Sequence, residues 1–248
     1  MDNSALSGTF QCVITEPAYK AVSAAIERAI IGGALPPGTA LPTEQDLSER
    51  FGVHRSTVRE AIRQVEQEGL LQRRASRRLY VCLPGINDLA PRATRLLLLQ
   101  ETTFREMWEV ALAIEPLSAR LAAQYATEED LELLEANFDA GLASSDLPTL
   151  VALDTEFHAL VGRASHNSAL MLAREPISLL YNTALLQIFE RLPQGCERNV
   201  TAHRRILDAL RSRDGEAAAH WTHKHMVDFQ RGFALAGLDM SSPLVKSK

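Results

Sequence analysis

The sequence predicts a mostly α-helical protein of two domains: a small one of three short helices closed by a β-hairpin, and a larger antiparallel bundle of six or seven helices. Three observations predict it. Apolar residues recur at helical spacing along most of the 248 residues. Glycine and proline clusters cut that pattern into helix-length segments. The one strand-like stretch, Leu79-Tyr80-Val81, follows an arginine-rich segment.

Residues 1–15 lack periodicity and read as an N-terminal arm. From Pro17, the residues Ala21, Val22, Ala25, Ile26, Ala29 and Ile30 trace a helix that Gly32-Gly33 end. Pro36-Pro37-Gly38 forces a turn. A short helix follows, with Thr43 as N-cap, Asp46 completing a capping box, Leu47 buried and Gly52 as the stop. The next helix starts near Arg55 with the apolar stripe Val58, Ile62 and Val65 and ends at Gly69; Leu79–Val81 then returns as a hairpin strand. Helix, helix, tight turn, helix and hairpin is the order of a winged helix-turn-helix, whose second motif helix enters the DNA major groove.

The charge agrees. The net charge of -5 would repel a polyanion, yet residues 50–82 hold eight Arg against three Glu. Arg55, Arg59 and Arg63 fall at i, i+4 and i+8, on one face opposite the apolar stripe, where forked guanidinium groups can take guanine edges or clamp phosphates. The same spacing also describes a solvated face, and the surrounding helix and wing pattern favours DNA.

The stretches Pro37-Gly38-Thr39-Ala40-Leu41-Pro42-Thr43-Glu44, Leu47 to Val53, Val58-Arg59-Glu60-Ala61-Ile62 and Glu68-Gly69-Leu70-Leu71 closely resemble the N-terminal domain of GntR-family transcription regulators over residues 17–82. The resemblance implies base contacts from Arg55 and Arg59, within a candidate DNA-contacting set of Thr43, Gln45, Arg55, Ser56, Thr57, Arg59, Arg63, Arg74, Arg77 and Arg78. Three departures stand out: Gln45 where Arg is common, His54 where a Ser N-cap is usual, and a wing, Arg73-Arg74-Ala75-Ser76-Arg77-Arg78, without its usual glycine turn.

Residues 16–82 are thus expected to be the DNA-binding domain, 83–92 a polar linker, 93–240 the helical domain and 241–248 a tail. Helices are expected over about 102–125, 127–142, 147–163, 168–191, 198–213 and 214–236. On the third of these, Asp154 and His158 project together at i, i+4; His203 heads the stripe Ile206, Leu207 and Leu210, and His225 shares a face with Ala218, Trp221 and Phe229. One carboxylate and three neutral imidazoles in a helical core suit a divalent metal such as Zn²⁺, Ni²⁺ or Mn²⁺. Spacing alone also allows a surface Asp/His hydrogen bond and ordinary core histidines. His220 and His223 read as structural or solvated.

Asp154-Thr155-Glu156-Phe157-His158, His203 before Ile206–Leu210, and Asp214-Gly215-Glu216-Ala217-Ala218 leading to His225-Met226 resemble the FCD effector domain of the FadR-type GntR subfamily over residues 93–236. The resemblance implies that Asp154, His158, His203 and His225 bind a metal and that a small organic or sugar acid is the effector. Ala111 stands where the family often has an effector-binding Arg, so Arg163 or Arg174 is expected to assist the carboxylate.

The expected protein is therefore a metabolite-responsive, homodimeric regulator bound to a double-stranded operator with two-fold related half-sites. Alternatives are a constitutive DNA-binding dimer with a purely structural helical domain, and a helical-bundle metalloenzyme. The latter lacks the Glu-x-x-His pairs of di-iron enzymes and the His-Glu-x-x-His of zincins. Composition, 46% hydrophobic and 23% charged, excludes disordered and collagen-like chains. Aliphatic runs such as Leu96–Leu99 are far below the ~20 residues of a membrane span. The opening Met1-Asp2-Asn3-Ser4 has no export signal, so a cytoplasmic location is expected. Cys12, Cys82 and Cys196 form no disulfide or zinc pattern and read as reduced.

Overall fold

The computed structural model describes residues 16–74, 78–83, 86–178 and 180–244. The expected N-terminal arm, the wing tip at 75–77 and the last four residues lie outside them. The chain divides into two compact units at Gly85/Ile86.

The first unit has α1 (Ala18–Ile31), α2 (Glu44–Phe51), α3 (Arg55–Gln67), β1 (Leu71–Arg73) and β2 (Leu79–Val81). The Thr43 hydroxyl accepts the Asp46 N–H while the Asp46 carboxylate accepts the Thr43 N–H, so α2 starts where its capping box says. It ends at Gly52, whose φ of 64° is left-handed. His54 precedes α3 without a side-chain cap, as its chemistry predicts. Val58, Ile62 and Val65 are fully buried against α1 and α2, each removal from water contributing up to roughly 1.5–3 kcal/mol. β1 and β2 pair antiparallel, Leu71 opposite Val81 and Arg73 opposite Leu79. The hairpin is also tied to the α1–α2 connection: Ala40 bridges Tyr80, and Leu41 N–H donates to the Leu79 carbonyl at 2.9 Å.

The second unit has eight helices among the described residues: α4 (Ile86–Leu99), α5 (Phe104–Tyr125), α6 (Glu128–Ala143), α7 (Leu147–Ala164), α8 (Ser168–Ser178), α9 (Asn182–Arg191), α10 (Gln194–Arg211) and α11 (Gly215–Leu235). Thr103 and Thr127 close capping boxes at α5 and α6, and Asp146 caps α7. α11 packs along α5 and α10, and α7 against α5 and α6. None of the described helices is long and apolar enough to cross a membrane.

Several boundaries differ from expectation. Residues 86–92, expected as linker, open α4; Asn87 and Asp88 start helices as readily as they make turns, so polarity did not separate the two. The 168–191 run divides into α8 and α9, α8 ending at Ser178, two residues after Pro176. Pro193-Gln194-Gly195, expected as a loop, forms the N-cap and first turn of α10, where proline's missing N–H costs nothing. In the expected tail, Pro243 bridges Thr103 and Leu244 N–H donates to the Thr102 carbonyl at 3.1 Å, which fastens this segment to the start of α5.

Candidate functional site

The buried stripe of α3 turns Arg55, Arg59 and Arg63 outward, all exposed. Arg59 Nε and Nη2 donate to the Glu44 carboxylate at 3.2 and 2.9 Å, linking α3 to the first residue of α2. This pair holds the Glu44 carboxyl below its usual range. Arg63 pairs with Glu60 at 3.3 Å, and the Gln45 amide donates to Glu49 at 2.6 Å. The Thr43 hydroxyl is engaged as a cap, which limits what it can offer DNA. Ser56 is exposed and Thr57 half-buried in the first turn of α3. In the wing, Arg74 lies over the Tyr80 ring at 4.6 Å and Arg78 is exposed; Arg77 lies outside the described residues. Glu44 was not anticipated from the sequence.

In the second unit, Asp154 and His158 of α7, His203 of α10 and His225 of α11 each offer a ligating atom, all within 4.8 Å of one another. His158 Nε2 and His225 Nε2 are 3.1 Å apart, and His203 Nε2 is 3.3 Å from Asp154 Oδ1. Ligands bound at about 2.0–2.1 Å with tetrahedral angles are separated by about 3.3 Å, so these spacings fit a divalent ion. Among the described residues His203 Nε2 is buried with no well-formed hydrogen bond, only this approach to Asp154, and a metal would give it a partner.

Supporting groups surround the set. Asn199, one turn before His203, donates to Asp154 Oδ1 at 2.6 Å. The His203 ring stacks on Phe157 with centroids 3.9 Å apart. His158 Nδ1 lies 3.3 Å from Glu115 Oε2, the second-partner arrangement that orients a ligating imidazole. Glu115 in turn accepts Arg174 Nε at 2.7 Å, and all three side chains are buried.

Burial lowers the pKa of His203 and, with the neighbouring imidazoles, that of His225 well below the ordinary value, leaving neutral nitrogens suited to a metal. For His158 burial acts the same way, but Glu115 and Asp154 outweigh it and the value is raised. Burial would raise Glu115, yet Arg174 and His158 hold it down to about 2. Asp154 is likewise held well below the usual range, burial being outweighed by the surrounding imidazoles.

A partly open cavity adjoins the cluster; Asp154, His158, His225, Glu115 and Arg174 reach it. Ala111 is in its wall, as is Tyr181, whose buried hydroxyl has no partner among the described residues. Of the two expected effector-binding arginines, Arg174 is at the cavity; Arg163 is exposed on α7 and does not line it, because it falls on the helix face away from Asp154 and His158. Glu115, Asn199 and Tyr181 escaped sequence reading. A signal existed for two of them: Glu115 sits in the apolar stripe of Ala111, Ala119 and Ala122, and Asn199 precedes His203 by one turn.

A winged helix-turn-helix with a basic outward face, carried in one chain with a helical domain that holds a cavity, is the domain make-up of a transcription regulator. Residues 18–81 match the family model for bacterial regulatory proteins of the gntR family, and residues 106–228 that of the FCD domain. The Uxu operon transcriptional regulator of Escherichia coli (strain K12) is 30% identical over 220 residues, 84% of each chain. The Glc operon transcriptional activator of the same strain is 29% identical over 220 residues, 85% of this chain and 86% of that one. The solved structure of Streptococcus agalactiae GntR superposes with a TM-score of 0.61 at 25% identity, covering 86% of this chain and 99% of that one. The chain belongs to the GntR family of transcription regulators, in its FadR-like branch with an FCD domain.

Proposed function

We propose that this regulator acts in the cytoplasm as a homodimer on an operator with two-fold related half-sites, and that a small organic or sugar acid bound at a metal site in the helical domain controls its grip on DNA. Arg55 and Arg59 read base edges. Ser56, Thr57, Arg63 and Gln45 support them from the same side, and Arg74, Arg77 and Arg78 attract phosphates from the wing. Two recognition helices must meet half-sites about 34 Å apart, so a small change in dimer geometry is enough to end simultaneous engagement. The effector acts by binding one dimer arrangement more tightly than the other.

The observation that carries the effector reading is the convergence of Asp154, His158, His203 and His225 from three helices beside the cavity. A divalent ion held by these four residues, Zn²⁺, Ni²⁺ or Mn²⁺, would supply a positive charge, and by expanding beyond four ligands it would accept a carboxylate. Glu115 orients His158, Asn199 steadies Asp154, and the three imidazoles are buried.

The test is His203→Ala/His225→Ala, read by metal content together with operator affinity with and without candidate acids. Loss of metal and of effector response with DNA binding retained is expected. Unchanged metal content would refute the site. Lost metal with an intact response would assign the helical domain a structural metal, as in the reading where the dimer binds DNA constitutively.

A further inference from the structure

The chemistry of the cavity wall narrows the effector, on the reading that its carboxylate sits at the metal cluster. Away from the cluster the wall is formed by Trp108, Ala111, Ile114, Leu185, Met226 and Phe229. The polar side chains among them and beside them are turned to internal partners. Trp108 Nε1 donates to the Met226 carbonyl at 2.8 Å, which leaves the indole to offer its apolar surface. Ser178 Oγ donates to the Glu175 carbonyl at 3.0 Å, and Thr155 Oγ1 donates to Asn182 Oδ1 of α9 at 2.5 Å. The Asn199 amide donates to Asp154, and Arg174 gives its Nε–H to Glu115. Of the neutral donors in the wall, the Tyr181 hydroxyl alone is buried without a partner among the described residues.

Glu115 Oε2, which lies against His158, and the Arg174 Nη groups beside it add polar atoms next to the cluster. Beyond them the wall returns few donors and acceptors to the hydroxyls of a polyhydroxy acid, and each unmatched hydroxyl costs on the order of tenfold in affinity. An apolar body instead matches the surface it meets. We propose that the effector is a carboxylic acid with an apolar aryl or alkyl body, carrying at most one further polar group, which Tyr181 would meet.

The test uses the full chain loaded with Zn²⁺ and calorimetric titration with phenylacetate, gluconate and acetate, the last sharing only the carboxylate. Phenylacetate is expected to bind roughly tenfold tighter than acetate or better, and gluconate no tighter than acetate. Gluconate binding as tightly as phenylacetate, or phenylacetate no tighter than acetate, would overturn the apolar assignment and leave the carboxylate site standing. If zinc binds but none of the three acids does, the underlying carboxylate reading falls with it. Ile114 is half-buried, and a thermal melt of Ile114→Asn beside the parent protein checks that the fold is retained. It should weaken phenylacetate about tenfold with acetate and zinc content unchanged. Unchanged phenylacetate affinity would overturn the assignment to this wall.

Discussion

Arg59 lays the Nε–Nη2 edge of its guanidinium along the Glu44 carboxylate, at 3.2 and 2.9 Å, fifteen residues away in sequence. One edge of a planar fork is thereby occupied while Nη1 and the remaining Nη2 proton point away from it, the pair of donors that a guanine edge accepts. The carboxylate also places a negative charge where a phosphate would otherwise compete for Arg59.

Glu44→Gln is therefore expected to raise affinity for scrambled DNA and to lower the ratio of operator to scrambled binding, about tenfold overall. Arg59→Ala is expected to lower operator affinity roughly ten- to a hundredfold and to relax sequence preference. Fluorescence anisotropy on both DNAs at two salt concentrations checks each; operator binding by Arg59→Ala equal to the parent protein's would remove this helix from base recognition.

In the wing, Arg78→Ala should weaken operator and scrambled DNA alike and reduce the salt slope by about one. A selective loss on the operator would instead make Arg78 a base-reading residue.

The buried Arg174–Glu115 pair carries a stability prediction. Arg174→Met leaves Glu115 buried with His158 as its remaining partner and should destabilise the protein by about 3 kcal/mol, whereas Arg174→Met/Glu115→Gln should recover part of that loss. Urea unfolding of the three variants checks the cycle; an additive double mutant would show that the two groups do not act as a pair.

Partial burial would raise the Asp130 carboxyl, but the Thr127 amide and hydroxyl and the His166 ring outweigh it and lower its pKa in the folded chain. A depressed folded pKa means that the stabilisation is fully present above the ordinary carboxylate value of 3.8 and is lost as pH falls through the lower folded value. Asp130→Asn should thus cost about 0.5–1 kcal/mol at pH 7, less at high salt, with the difference from the parent narrowing only as pH falls below 3.8. Urea midpoints at pH 7 and along a descending series below pH 3.8 measure it, and a difference that does not narrow along that series would assign the cost to shape rather than charge.

Helix starts and apolar stripes were legible because they depend on residues three or four apart. The Thr43/Asp46 box and the Val58, Ile62 and Val65 stripe formed as expected, and Asp154, His158, His203 and His225 converge as their inward positions implied. Where local chemistry is ambiguous the reading failed: Asn87-Asp88 opened a helix, Pro193 began one, and another divided two residues after Pro176.

By itself the sequence determined the helical segments and the basic face of α3, since each follows from spacing along one element, while Asp154, His158, His203 and His225 stood out as a set only with the resemblance to the FCD domain. Only the tertiary structure decided what those side chains meet. Glu115 and Arg174 are 59 residues apart, and Arg163 and Arg174 are equally basic, yet packing buries Arg174 against Glu115 and leaves Arg163 in solvent. The reason is physical: a buried charge is tolerated where a partner from another helix arrives within hydrogen-bond distance, and that arrival is a property of how helices pack rather than of any one of them.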